Sequence, residues 1–183
     1  MGEDLDAWAD WERIRLAHSG YSALRPVRPG QPHYACDVLQ ETDIVRLIQT
    51  HLGGTPIEES CAFFGGLLLA CDAATLFPQC CATLSEAHLW ACARQSGTHA
   101  IWSGHPGPVL HVQGGVVRVE CEEDATGGFV PPVPASFSVG HVELCAALDR
   151  AMSRLSVFGA RVDAAGRTLG LVSASASLVF SEE

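Results

Sequence analysis

The sequence contains no lysine and no asparagine among its 183 residues. Without lysine the chain cannot form a Schiff base with a carbonyl substrate, and it cannot supply the lysine of a phosphate-binding P-loop. Without asparagine it offers no acceptor for N-linked glycosylation. All eleven Lys or Arg positions are therefore arginine, which fits a chain encoded in GC-rich DNA.

The sequence also lacks the features of exported and membrane proteins. The N-terminal segment MGEDLDAWADWE is acidic and has neither the basic nor the apolar region of a secretory signal. The longest apolar run, from Ala62 to Cys71, is about half as long as the roughly 20 residues that span a bilayer. We therefore expect a cytoplasmic protein, in which the eight cysteines are reduced thiols.

Acidic residues outnumber basic ones, 21 to 11, and the formal net charge is −10. A field of this sign repels phosphate backbones and anionic membranes, so we expect neither nucleic acid nor a membrane as a partner. The expected partner is another protein, and a basic protein is the most natural one. The sequence does not indicate the oligomeric state.

The composition, 48% hydrophobic and 17% charged, is typical of a packed chain that buries its own core. Patterns of both helix and strand predict an α+β fold in one domain, with a mixed or mainly antiparallel sheet packed by helices. Residues 1–53 are expected to form an N-terminal helical part. Residues 60–183 are expected to form the sheet-containing core.

Two helices are predicted in the N-terminal part. Asp4 to His18 begins with acidic residues and ends with basic ones, as the helix dipole favours. The second helix ends at Leu52, and Gly53 stands where a left-handed C-terminal cap is wanted. A third helix, to about Gln95, is predicted to begin at a T-x-x-E capping box formed by Thr83 and Glu86.

The clearest strand signal is a hairpin. Gly114-Gly115 is predicted to form its two-residue turn, which sets His111 opposite Arg118. The run 62–70 is predicted to be a strand covered on both faces, bent or closely approached at Gly65-Gly66. A further short strand is predicted at 99–103.

The C-terminal third is predicted to hold the longest helix and a final hairpin. The helix is expected to be capped by Ser136 or Ser138 and to end near Gly159. Alternation of apolar residues and serines then predicts a strand over 172–180, preceded by a turn at 163–166.

One group of side chains has the residue types of a zinc site. His88 and Cys92 lie at i and i+4 of the predicted third helix, and Cys80 and Cys81 precede it. The chain has no CxxC motif, and adjacent cysteines rarely supply two tetrahedral ligands. The alternative is that these four side chains fill space in the core and that no cofactor is bound.

A second hypothesis makes Cys80 or Cys81 a reactive thiol. Both residues precede a helix N-terminus, where unpaired N–H groups and the helix dipole stabilise a thiolate. His105 or His99 would then act as its base. The alternative is that the pair forms the inert end of a buried strand.

Candidate partner-binding residues lie in the loops and at the charged end of the hairpin. His105 lies in the turn GHPGP, and turns of this kind often carry binding residues. Tryptophan side chains anchor many interfaces, and the candidates are Trp8, Trp11, Trp90 and Trp102. For Trp90 and Trp102, burial in the core is the simpler expectation. Acidic residues follow the hairpin. The candidate partner-binding residues are His105, Trp102, Glu120 and Glu122.

The segments FFGGLLL, FPQCC and WSGHPGP resemble a group of uncharacterised bacterial proteins that share a PQCC segment followed by a GHP turn. This resemblance implies no activity. In size and charge alone the chain is also similar to immunity proteins that neutralise secreted bacterial toxins. We expect a non-enzymatic acidic binding or regulatory protein; the alternative is a thiol- or zinc-dependent protein centred on Cys80, Cys81, His88 and Cys92.

Overall fold

The computed structural model describes residues 2–21, 24–125 and 127–181, and side chains from residue 10 onward. Helix α1 spans Gly2–His18 and helix α2 spans Glu41–Leu52, and the described part of the segment between them contains a short 3-10 turn, Cys36–Val38. Gly53 follows α2 with a φ of 55°, and its N–H donates to the carbonyl of Gln49. The predicted left-handed cap is therefore confirmed.

The strands form two antiparallel sheets, which confirms the predicted α+β class. The two-stranded sheet pairs β1, Leu69–Ala70, with β2, Thr75–Leu76. The four-stranded sheet has the order β3-β4-β5-β6, with strands Gly97–Ala100, Val109–Gln113, Val116–Glu120 and Ser136–Gly140. His111 lies opposite Arg118 across the hairpin, so the register predicted from Gly114-Gly115 is confirmed.

A 3-10 helix spans Leu84–Arg94, where the sequence predicts an α-helix. The predicted capping box is present, and the N–H of Thr83 donates to the carboxylate of Glu86 at 2.8 Å. Buried positions in this helix recur every three residues, at Ala87, Trp90 and Ala93. That period matches the three residues per turn of a 3-10 helix, so one apolar row faces the core along its length.

The predicted strand over 62–70 is wrong for most of its length. Only Leu69 and Ala70 belong to a regular strand, and Phe64, which is 68% exposed, makes an isolated bridge to Thr83. Gly65 has a φ of 147°, a conformation that interrupts a regular strand of L residues. The close approach predicted there is present, because a Cβ on Gly65 would lie 3.3 Å from Leu84 Cδ2.

The prediction for the start of the longest helix is wrong. Ser136 and Ser138 lie in β6, and helix α3, His141–Thr168, begins after Gly140. The segment alternates serine with Phe137 and Val139, a period of two that fits a strand beside β5. The serines therefore belong to the solvent side of an edge strand and do not cap a helix.

The predictions for the end of the chain are also wrong. Helix α3 continues through Gly159 and through the predicted turn at 163–166, and residues Ala174–Leu178 form the short helix α4 where a strand is predicted. Gly166 lies within α3 where α4 approaches, since a Cβ there would lie 2.7 Å from Ala174 Cβ. The glycines of α3 therefore mark contacts with the C-terminal segment and do not end the helix.

Helix α3 joins the two parts of the core. Its first half places Leu144 and Leu148 in the cluster that contains the inner face of the four-stranded sheet. Its second half places Phe158 and Val162 in a cluster with residues of α2 and α4. Within the described residues, no helix has the length and apolar character needed to cross a membrane.

Candidate functional site

Three separate parts of the chain meet around residues 79–84. On one side this segment pairs with residues 63–65, and on the other it pairs with residues 103–105. Four backbone hydrogen bonds hold the arrangement: Leu84 N to Phe63 O, Gly65 N to Ala82 O, Gln79 N to Ser103 O, and His105 N to Cys80 O. The segments FFGG, PQCC and GHP are therefore neighbours in space.

The loop that carries His105 packs so tightly that its two glycines, Gly104 and Gly107, have no room for a side chain. Gly104 has a φ of 86°, and a Cβ there would lie 2.4 Å from the carbonyl oxygen of Cys80. A Cβ on Gly107 would lie 2.4 Å from the carbonyl oxygen of Ile101. Glycine at position 104 lets the backbone of the loop touch the Cys80 segment, and glycine at position 107 lets the loop fold back on Ile101.

Cys80 and Cys81 are both exposed, and their sulfur atoms lie 3.3 Å apart. Cys81 has a φ of 68°, a left-handed conformation that is uncommon outside glycine. The hydrogen bond to Cys80, and then the charge that Cys80 carries when ionised, raise the pKa of the Cys81 thiol. A reactive cysteine has a lowered pKa, so this environment does not favour Cys81 as an activated nucleophile.

The other two zinc candidates do not join these thiols. In a 3-10 helix residues four apart differ in direction by about 120°, so the i, i+4 placement expected for His88 and Cys92 is lost. His88 Nδ1 donates to the carbonyl of Ser85 at 2.6 Å, and burial raises the pKa of the half-buried Cys92 thiol. Among the described residues no group of three or more potential ligands could hold a metal ion.

Trp102 and His105 lie together on the outside of the loop. Their ring centroids are 4.3 Å apart in an edge-to-face contact, and His105 Nδ1 lies 3.6 Å from a carboxylate oxygen of Asp124. This contact brings Asp124 beside the loop, and the exposed residues Glu122 and Glu123 directly precede Asp124 in the chain. We call the surface formed by Trp102, His105 and residues 122–124 the acidic face.

The tryptophans divide between core and surface. Trp90 is 3% exposed, as expected, whereas Trp102 is 40% exposed and Trp11 is 58% exposed. The expectation of core burial is therefore wrong for Trp102, because it is the adjacent Ile101 and Ser103 that point inward. The side chain of Trp8 falls outside the described residues.

Glu120, a candidate for partner binding, belongs to a different surface. Its carboxylate accepts from His111 Nε2 at 2.8 Å and from Arg118 at 2.9 Å, on the outer side of the sheet. Both contacts lower the pKa of Glu120, and the hydrogen bond from His111 has the larger effect. Thr98 Oγ1 lies 3.0 Å from His111 Nδ1, so a hydroxyl, an imidazole and a carboxylate are linked across three strands. The hairpin register predicted from the sequence places His111 opposite Arg118, but it does not indicate the contacts with Thr98 and Glu120.

Sequence reasoning missed one further thiol and imidazole pair. Cys61 is exposed, and its sulfur lies 4.0 Å from His51 Nε2. The same nitrogen lies 2.8 Å from the carbonyl oxygen of Cys61, which can only accept a hydrogen bond. Nε2 therefore carries a hydrogen and cannot take the thiol proton. No pattern in the sequence relates these residues, which are ten positions apart.

A comparison with protein-family models, curated proteins and solved structures found no match for this chain. The two features that stand out are the acidic face and the exposed pair of thiols beside it. The thiols and the loop that carries His105 are held by the same paired backbone segments.

Proposed function

We propose that this protein is a non-enzymatic acidic binding protein that recognises a basic partner protein through the acidic face. The observation that carries the proposal is the position of Trp102. Its ring is 40% exposed, while the next two residues, Ser103 and Gly104, are buried. Aromatic side chains of this kind contribute more than most to the affinity of protein interfaces.

The backbone that presents Trp102 is already ordered by contacts within the protein. Ile101 N–H donates to the carbonyl of Pro108, and the loop between them is tied to the Cys80 segment by the hydrogen bonds described above. A partner that contacts Trp102 would therefore not need to order this loop. Binding loses less conformational entropy when the contact residues are held in place beforehand.

The charge of the face determines the kind of partner. Glu122, Glu123 and Asp124 are exposed within one short segment, and the chain as a whole carries a formal charge of −10. A cluster of arginine or lysine side chains on the partner complements this segment and is attracted before contact. Immunity proteins that neutralise a toxin, and regulatory subunits, are two classes of binding protein with this build.

The test is capture of proteins from a lysate of the source cells by the immobilised chain. Trp102→Ala is expected to lower recovery of the partner by about tenfold or more, as loss of an interface anchor does. The double variant Glu122→Gln with Glu123→Gln is expected to lower recovery at about 0.15 M salt. Wild-type recovery should fall as the salt rises to about 1 M, because screening weakens charge attraction.

Matched substitutions on other surfaces serve as controls. Trp11→Ala removes a more exposed tryptophan from α1, and Glu58→Gln with Glu59→Gln removes two adjacent exposed charges after α2. Both should retain the partner. The proposal is wrong if every captured protein is retained equally by the face variants and the controls, or if no protein is captured specifically.

A further inference from the structure

Of the eight cysteines, all within the described ranges, only Cys80 and Cys81 have sulfur atoms in contact. The backbone on both sides of the pair is fixed. The carbonyl of Cys80 accepts from His105 N–H, and the carbonyl of Ala82 accepts from Gly65 N–H. Two thiols are therefore held side by side and open to solvent, which is the arrangement of a bidentate sulfur ligand.

The sulfur separation can be compared with the spacing that each kind of bound centre requires. Two thiolates on tetrahedral Zn²⁺, with bonds of about 2.3 Å, lie about 3.8 Å apart. Two bonds of similar length that meet near a right angle span about 3.3 Å. The observed separation is 3.3 Å. Pyramidal trivalent centres with a lone pair have bond angles near a right angle, so they fit the pair with less movement than zinc.

The charges around the pair also favour a neutral reagent that takes up two thiols. The carboxylate of Glu86 interacts electrostatically with the Cys81 side chain and places negative charge near the pair. His105 is held beside the pair, but its neighbour Asp124 adds a further negative charge. Anions are repelled from such a surface, whereas an uncharged oxide is not.

We propose that Cys80 and Cys81 form a binding site for trivalent arsenic, supplied as an uncharged arsenous compound. With an organic arsenoxide, two arsenic–sulfur bonds form and the arsenic–oxygen double bond breaks. The oxygen leaves as water with the two thiol protons, and arsenic keeps its oxidation state. The ring that closes contains one atom more than that of a disulfide between the same two residues. This site does not depend on the proposed partner protein.

The test uses phenylarsine oxide as the probe on the full chain. Intact mass should show one phenylarsenic group, with loss of two hydrogens from the protein. The adduct should survive excess glutathione, a monothiol, and be removed by a small dithiol. Cys80→Ser and Cys81→Ser should each weaken binding roughly 10²–10⁴-fold, the gain that a second tethered attachment provides. Cys61→Ser, at another exposed cysteine, should leave binding unchanged.

A second measurement does not depend on how the variants fold. Wild-type protein that carries the probe is alkylated with iodoacetamide and mapped by peptide mass. Cys80 and Cys81 should be protected together while Cys61 reacts. The proposal is overturned if glutathione removes the probe from the wild type, if either serine variant binds as tightly as the wild type, or if Cys80 and Cys81 are alkylated in the presence of the probe.

Discussion

Gln79 binds the main chain of Val130 through both ends of its side-chain amide. Its Oε1 accepts from Val130 N–H at 2.8 Å, and its Nε2 donates to the carbonyl of Val130 at 3.2 Å and to that of Phe77 at 2.7 Å. Gln79 is 9% exposed and directly precedes the two exposed thiols. One buried amide therefore ties the Cys80 segment to the loop that follows the acidic residues.

Gln79→Ala is expected to destabilise the protein by about 2–3 kcal/mol, because three hydrogen bonds are lost, one of them to the buried carbonyl of Phe77. The measurement is urea-induced unfolding followed by circular dichroism. Gln49→Ala, on the exposed side of α2, is the matched control and should change stability by less than about 0.5 kcal/mol. Equal effects at the two positions would contradict the role given to Gln79.

Gly104→Ala is expected to destabilise the protein more than Gly170→Ala. The two glycines have similar positive φ values, 86° and 78°, so the backbone strain of an alanine is similar at both and costs about 1 kcal/mol. At Gly104 the new Cβ would also lie 2.4 Å from the carbonyl oxygen of Cys80, whereas nothing lies within 4 Å at Gly170. Thermal unfolding of both variants measures the difference. A Gly104 variant that is no less stable would show that the loop contact is not tight.

His33 is expected to make stability depend on pH. The ring packs on Phe77, its Nε2 lies 3.3 Å from the carbonyl oxygen of Pro78, and its Nδ1 is buried without a partner among the described residues. Burial lowers the pKa of His33 below its ordinary 6.5, so protons bind the unfolded chain first as the pH falls. The contribution of His33 to the free energy of unfolding should therefore be fully present above about pH 6.5. It should decrease as the pH falls towards the lowered pKa of the folded protein, by at most about 1.4 kcal/mol per pH unit.

The measurement for His33 is the free energy of unfolding at several values between about pH 5 and about pH 7. His33→Gln keeps an N–H donor for Pro78 but does not titrate, so part of the slope should disappear. His88→Gln, on the exposed side of the 3-10 helix, should keep the slope of the wild type. A His33 variant with an unchanged slope would assign the pH dependence to other groups.

Cys121 is expected to be the slowest cysteine to react with iodoacetamide. It is 5% exposed, and burial raises the pKa of its thiol to about 11, so roughly 1% is thiolate near pH 9. Exposed Cys61 serves as the internal reference in the same sample. Time-resolved peptide mapping gives both rates, and unfolding in urea should make them similar. A Cys121 that reacts as fast as Cys61 in the folded protein would contradict its burial.

The features predicted correctly from the sequence depend on residues close together in the chain. Thr83 and Glu86 form a capping box, Gly53 ends α2, and Gly114-Gly115 sets the hairpin register. In each case the interacting groups are separated by a few residues, so local geometry decides the outcome before the rest of the chain is placed. Together with the composition, such signals determined the α+β class.

The tertiary structure decided what depends on distant contacts. The serine and alanine alternation near the C-terminus has the period of a strand, yet Asp163 accepts hydrogen bonds from the N–H and hydroxyl of Ser175 and holds that segment as a helix against α3. Burial of that helix in a shared core outweighs the weak preference of the local pattern. The meeting of Cys80 with His105, 25 positions later, likewise needs Gly104, which allows the two stretches of backbone to touch. The sequence by itself names those residues, but only folding places them together, because the contacts that join them are non-local.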